Sequence, residues 1–138
     1  MVANRIRPYE LLVADDDAAF RQMLRLVLEP HVDFFEAECG EEAIEIVRTR
    51  PVDLVLLDMH MRALSGLDTL RLVKALRAAL PCILMTANPT SELRRRAALE
   101  NAFAVLKKPV TRRQLLQAVS GALKASYDDP DLDWLTQT

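Results

Sequence analysis

LLVADDD at residues 11–17 and VDLVLLD at residues 52–58 decide how this chain is read. Each is a short apolar run that ends in acid. Strands of a parallel sheet are buried on both faces and so read as unbroken apolar runs. Two such strands laid side by side bring Asp15, Asp16 and Asp17 to the same sheet edge as Asp58. Carboxylates gathered in this way repel one another unless a cation sits among them. Hard oxygen ligands in that geometry suit Mg²⁺. A divalent ion beside a carboxylate is a place where phosphate can be handled.

Outward from these two runs the same rhythm repeats. The first strand covers about residues 10–14. Behind it Phe20, Met23, Leu24, Val27 and Leu28 fall at i, i+3, i+4, i+7 and i+8, a helical stripe. Asp16 or Asp17 stands where the cap of that helix belongs. Residues 32–37 read as a strand and Glu41 to Thr49 as a short helix. A third strand at 53–57 precedes a helix from Gly66 to Ala79. A fourth strand at 82–85 precedes an Arg-rich helix from Ser91 to Leu99. A fifth strand at 102–106 leads to a last helix, capped by Thr111, with Leu115, Val119, Ala122 and Leu123 inward. Pro30, Pro51, Pro81, Pro89 and Pro109 fall between these elements, where proline is tolerated. Strands alternating with helices predict an α/β fold, a doubly wound parallel sheet with helices on both faces. Its ligand site belongs at the carboxyl ends of the strands. Asp15 and Asp16, Asp58, Thr86 and Lys108 all fall just past strand ends.

The bulk composition narrows the options. The 138 residues fit one domain, 51% hydrophobic and 28% charged, with a net charge of −2. That balance offers no reason to expect nucleic-acid binding. Two cysteines, Cys39 and Cys82, make no disulfide framework, and a reducing cytosol fits. The start, MVANRIRPYE, lacks the pattern of a signal peptide, and no run approaches the length of a membrane span. With glycine only at 40, 66 and 121, a Gly-rich nucleotide loop is excluded.

The pieces LLVADDD, LVLLDMHM, Gly66, ILMTA and VLKKPV, in that order and on strand ends, resemble a response-regulator receiver domain, the phospho-acceptor of two-component signalling. The resemblance covers residues 8–125 and leaves 126–138 as an acidic, partly apolar tail. It implies the flavodoxin-like strand order 2-1-3-4-5. Asp58 would accept a phosphoryl group from a sensor histidine kinase or phosphotransfer protein. Asp15, Asp16 and Asp58 would hold Mg²⁺, with His60 adding its backbone carbonyl. Lys108 would pair with a phosphoryl oxygen, and the Lys108–Pro109 bond is often cis in this family. Thr86 would hydrogen-bond the phosphoryl group and draw its loop inward. The family reads that change on the face of the fourth helix, fifth strand and fifth helix, which is also a possible homodimer face. Such a protein modifies only itself and is no turnover enzyme.

Several positions depart from the family pattern. Arg62 replaces a common proline and Ser65 a common acid. Val105 replaces the aromatic switch residue, with Phe103 on the same strand face two residues earlier. His60 and Asn88 occupy positions that tune dephosphorylation. A receiver-like scaffold that works without phosphorylation is therefore the alternative reading. A haloacid-dehalogenase-type phosphatase needs a second acid where His60 stands. Arg94, Arg95 and Arg96, with Lys107, Arg112 and Arg113, form either a solvated face or a docking surface. The tail YDDPDLDWLTQT is either a frayed end or an element that packs on that basic face, with Trp134 as the anchor beside Leu132 and Leu135. His31 reads as a surface loop residue. No DNA-binding or catalytic domain fits in the remaining length, so a stand-alone switch is expected unless the chain is a piece of a longer one.

Overall fold

The structure, a computed structural model, describes residues 7–134. Leu135 and the first six residues of MVANRIRPYE lie outside the described residues. Five strands form one parallel sheet in the order β2-β1-β3-β4-β5. The strands are β1 (Glu10–Ala14), β2 (Asp33–Ala37), β3 (Leu54–Asp58), β4 (Cys82–Thr86) and β5 (Ala104–Lys107). The helices are α1 (Ala18–Leu28), α2 (Gly40–Thr49), α3 (Gly66–Leu76), α4 (Ser91–Leu99) and α5 (Arg112–Ser126). This is the flavodoxin-like, doubly wound fold.

Side chains alternate across the three central strands, so the apolar runs feed two cores. Leu11, Val13, Leu54, Leu56 and Ile83 pack with α1 and α5. Leu12, Ala14, Val55, Leu57 and Leu84 pack with α2 and α3. Each fully buried leucine contributes about 1.5–3 kcal/mol of transfer free energy. The two layers together lock the strand register. Ala14 pairs with Leu57, Asp58 with Met85 and Thr86 with Lys107. Residues one step past these pairs therefore gather at one sheet edge.

Two element ends differ from the sequence expectation by two residues or more. Helix α3 stops at Leu76 rather than Ala79, because Arg77 leaves the helical region and Leu80 N–H turns back to the Arg77 carbonyl. Strand β5 begins at Ala104 rather than residue 102. Asn101 takes a left-handed conformation (φ 63°), and Ala102 N–H bonds the Ala97 carbonyl, closing α4 before the strand can start.

Through Trp134, the last described residue, the tail is neither frayed nor laid on the basic face. Trp134 is 4% exposed and stacks on His31, with ring centroids 4.8 Å apart. His31 is accordingly half-buried, not a free loop residue. The Tyr9 hydroxyl donates to Asp129 at 2.7 Å, and the Tyr127 hydroxyl donates to the Asp53 carbonyl at 2.6 Å. The segment after α5 thus straps the amino-terminal pole of the sheet, opposite the carboxyl ends. Among the described residues no helix is long and apolar enough to cross a membrane.

Candidate functional site

The strand register brings Asp15, Asp16, Asp58, Thr86 and Lys108 to the carboxyl edge of the sheet. Asp15 is fully buried, Asp58 nearly so, and Asp16 exposed at the rim. Carboxylate oxygens of the three lie within 4.8 Å of one another. Lys108 bridges the inner pair, its Nζ lying 2.9 Å from Asp15 and 3.0 Å from Asp58. The three acids are hard oxygen donors with one open side at Asp16, so they fit a hydrated divalent ion such as Mg²⁺. His60 donates its backbone N–H to the Asp58 carboxylate.

Electrostatics at this edge follow from burial. Desolvation pushes the Asp58 carboxyl above its usual range, with the Asp15 charge adding to the push and Lys108 opposing it. Burial works against the Lys108 charge too, but its hydrogen bonds to Asp15 and Asp58 outweigh that and raise its pKa. The lysine is the cation that lets two adjacent acids fold inward.

Local structure fixes each group. Asp17, not Asp16, caps α1 by accepting from Ala19 N and Phe20 N, while Asp15 Oδ1 accepts from Asp17 N. This leaves Asp16 unspent by the cap. The backbone N–H of Lys108 bonds the Thr86 carbonyl at 2.8 Å, and the Lys108–Pro109 bond is cis. Thr86 is fully buried, and its Oγ1 accepts from Asn88 N at 3.2 Å. The hydroxyl proton is then available for another acceptor. Thr86, His60, Asn88 and Arg96 border a hollow of about 260 Å³ beside the acids.

Two contributors escaped the sequence reading. Phe20, read as core, lies under the Lys108 ammonium, 4.1 Å from ring centroid to Nζ. Arg21 is buried and donates from Nη1 to the Asp15 carbonyl, tying α1 to the acidic loop. A buried arginine on an otherwise apolar helix face was the available signal. Gly66 lets the loop after Asp58 fold back: a Cβ there would stand 2.4 Å from the Asp58 carbonyl oxygen. Ser65, which departs from the family's acid, is the α3 N-cap in a reciprocal capping box with Asp68. Ala63 in the same loop takes φ 65°. Val105 and Phe103 border one shallow hollow with Arg94, and Phe103 is exposed. The basic run is partly committed, since Arg95 pairs with Glu92 and Arg94 reaches the Val105 carbonyl.

Residues 11–120 match the family model for the response regulator receiver domain. The transcriptional regulatory protein GlrR of Escherichia coli K12 is 30% identical over 129 residues, 93% of this chain and 29% of the relative. ZraR of Escherichia coli O157:H7 is 35% identical over 119 residues, 86% of this chain and 27% of the relative. The chain thus spans under a third of these regulators. Among solved structures, the signal receiver domain of an HD domain-containing protein from Pseudomonas fluorescens Pf-5 superposes with a TM-score of 0.85 at 27% identity. That match covers 92% of this chain and 95% of the other. Receiver domains are signalling domains, not turnover enzymes; they bind Mg²⁺ at an acidic pocket and interact with histidine kinases or phosphotransfer proteins. This chain belongs to the response regulator receiver domain family of two-component signalling.

Proposed function

We propose that residues 8–125 form a phosphorylation switch whose acceptor is Asp58. The observation that carries this reading is the Lys108 bridge between Asp15 and Asp58, with Asp16 at the open rim. An Asp58 oxygen attacks the phosphorus of a phosphohistidine on the donor kinase or phosphotransfer protein. The new O–P bond forms as the P–N bond breaks, and the departing imidazole keeps that electron pair. A carboxylate is a weak nucleophile, so fixed charges and donors carry the acceleration. Asp15, Asp16, Asp58 and the His60 carbonyl would hold Mg²⁺, which when bound would supply positive charge to the phosphoryl oxygens. Lys108 turns from the carboxylates toward a phosphoryl oxygen. The Thr86 hydroxyl donates to another, pulling the loop after β4 inward.

The new group brings about −1.5 to −2 charges to one point. A shift of a pre-existing equilibrium follows from its differential contacts with Thr86 and Lys108. Output passes through α4, β5 and α5 to a protein partner, in a cytoplasmic setting. Val105 favours a second reading, a scaffold that binds partners regardless of phosphorylation. Intact mass after incubation with acetyl phosphate separates the two. A single Mg²⁺-dependent phosphoryl adduct, absent in Asp58→Asn, is the expected result. A folded protein that takes up no group leaves two readings, a receiver specific for its phosphohistidine donor or the scaffold.

A further inference from the structure

Arg21 stands where the core would accept an apolar side chain. It falls one turn before Leu24 and two before Leu28, and these three are the buried residues of α1. A guanidinium taken out of water is costly unless its donors are spent, and an apolar replacement of a buried ion pair is often as stable or more so. Helix α1 is anchored without it, since Asp17 caps its start and the two leucines seat its face in the core. What an apolar residue at position 21 could not do is donate hydrogen bonds.

Arg21 Nε donates to Glu36 of β2 at 2.8 Å, and its Nη1 donates to the Asp15 carbonyl. Glu36 is gripped from its other oxygen by Arg25 at 2.7 Å, which fixes the plane of the Arg21 fork. The Asp15 carbonyl belongs to the peptide that joins Asp15 to Asp16. Asp15 has other restraints as well. Its N–H bonds the Ala37 carbonyl, its Oδ1 accepts from Asp17 N, and its Oδ2 accepts from Lys108. The Asp16 side chain has no hydrogen bond or ion pair among the described residues. Where its carboxylate lies is therefore inherited from the peptide that Arg21 holds.

We propose that Arg21 is a positioning residue for the divalent cation, holding the Asp15–Asp16 peptide so that the Asp16 carboxylate stays within reach of those of Asp15 and Asp58. The proposal rests on the reading of these three acids as an ion site. The charge of Arg21 works the other way, because a fixed positive group beside the acids repels a second cation. The two effects have opposite signs, which makes the role measurable. Lysine at position 21 keeps the charge but presents a point instead of a planar fork, so it cannot serve Glu36 and the carbonyl together. Mg²⁺ demands near-octahedral placement of its ligands, whereas Ca²⁺ accepts a flexible shell. A displaced Asp16 should harm Mg²⁺ binding more than Ca²⁺ binding, while a change of charge alone moves both ions alike.

Calorimetric titration of the full chain with Mg²⁺ and, separately, with Ca²⁺ tests this, with urea unfolding of each variant to verify the fold. Arg21→Met and Arg21→Lys should each weaken Mg²⁺ binding about tenfold, as loss of a group behind a metal ligand typically does, and Ca²⁺ binding less. Arg21→Lys retains the buried charge and carries the test if the methionine variant does not fold. Leu28→Val thins the same core at the far end of α1 and should lower the urea midpoint while leaving both affinities unchanged. Tighter binding of both ions by Arg21→Met assigns the residue a purely electrostatic effect and overturns the proposal. Unchanged affinities in the Arg21 variants overturn it too. So does an equal loss for the two ions, or a matching loss in Leu28→Val, either of which marks a general loosening of α1. Those results leave the ion site standing, whereas a folded wild type that takes up neither ion removes the site and the proposal together.

Discussion

Single atoms set the limits at several positions. Gly66 has no room for a methyl group, because a Cβ would press on the Asp58 carbonyl at 2.4 Å and on Met59 Cα at 2.8 Å. Both obstacles are backbone and cannot rotate away. Gly66→Ala should cost about 1–3 kcal/mol in urea unfolding and slow phosphoryl uptake by displacing the acceptor loop. Cys82 sits in the middle of the sheet, where burial pushes its thiol up to about 12. The thiolate is the reactive form, so native protein at mildly alkaline pH should be alkylated at Cys39 alone. Peptide mapping after iodoacetamide treatment reads this, with Cys82 labelled only after denaturation. A native label on Cys82 would contradict its place in the core.

Elements show where sequence reading succeeds and where it stops. Five strands and five helices were legible because apolar runs, proline breaks and capping residues are local signals. Thr111, for example, was read as the cap of α5 and makes a capping box with Gln114. That Asp15, Asp16, Asp58, Thr86 and Lys108 share one sheet edge was legible too, since a parallel register forces residues after strand ends together. What stayed hidden depends on three-dimensional neighbours. Nothing local distinguishes Phe20 from the other apolar residues of α1, yet it lies against Lys108. The end of α4 turned on Asn101 adopting a positive φ, which moved the start of β5. Trp134 could be named as an anchor but was matched to the basic face, because its partner His31 is about a hundred positions away along the chain. The strap it secures is part of the core. Trp134→Ala should lower stability by about 3 kcal/mol, and removal of residues 128–138 by a similar amount, measured by urea unfolding. Unchanged midpoints would show that the strap contributes nothing.

At the scale of the whole molecule the two poles have separate chemistry. The carboxyl edge gathers acids around Lys108, while the opposite pole is closed by aromatic rings. Burial, with the Arg112 charge adding to it, holds the His31 imidazole below its ordinary pKa of 6.5. As pH falls below that ordinary value the unfolded chain takes up the proton first. Stability is therefore undiminished at neutral pH and declines on acidification through the window beneath 6.5. His31→Phe keeps a ring against Trp134 without the titration. The urea midpoint of this variant should fall less than that of the wild type between neutral pH and about pH 5.5. An equal fall in both would place the acid sensitivity elsewhere.

The distance between those poles has a practical result for anyone who wants to test the proposed switch in real time. Trp134 is the chain's one indole and hence its dominant natural fluorophore. It is stacked on His31 at the pole farthest from Asp58. Its emission should report whether the strap is seated and should not respond to the proposed ion or phosphoryl group. Phe20, beneath the Lys108 ammonium, is the ring with a view of that event. A fluorine atom placed on it would turn the silent edge into a spectroscopic signal.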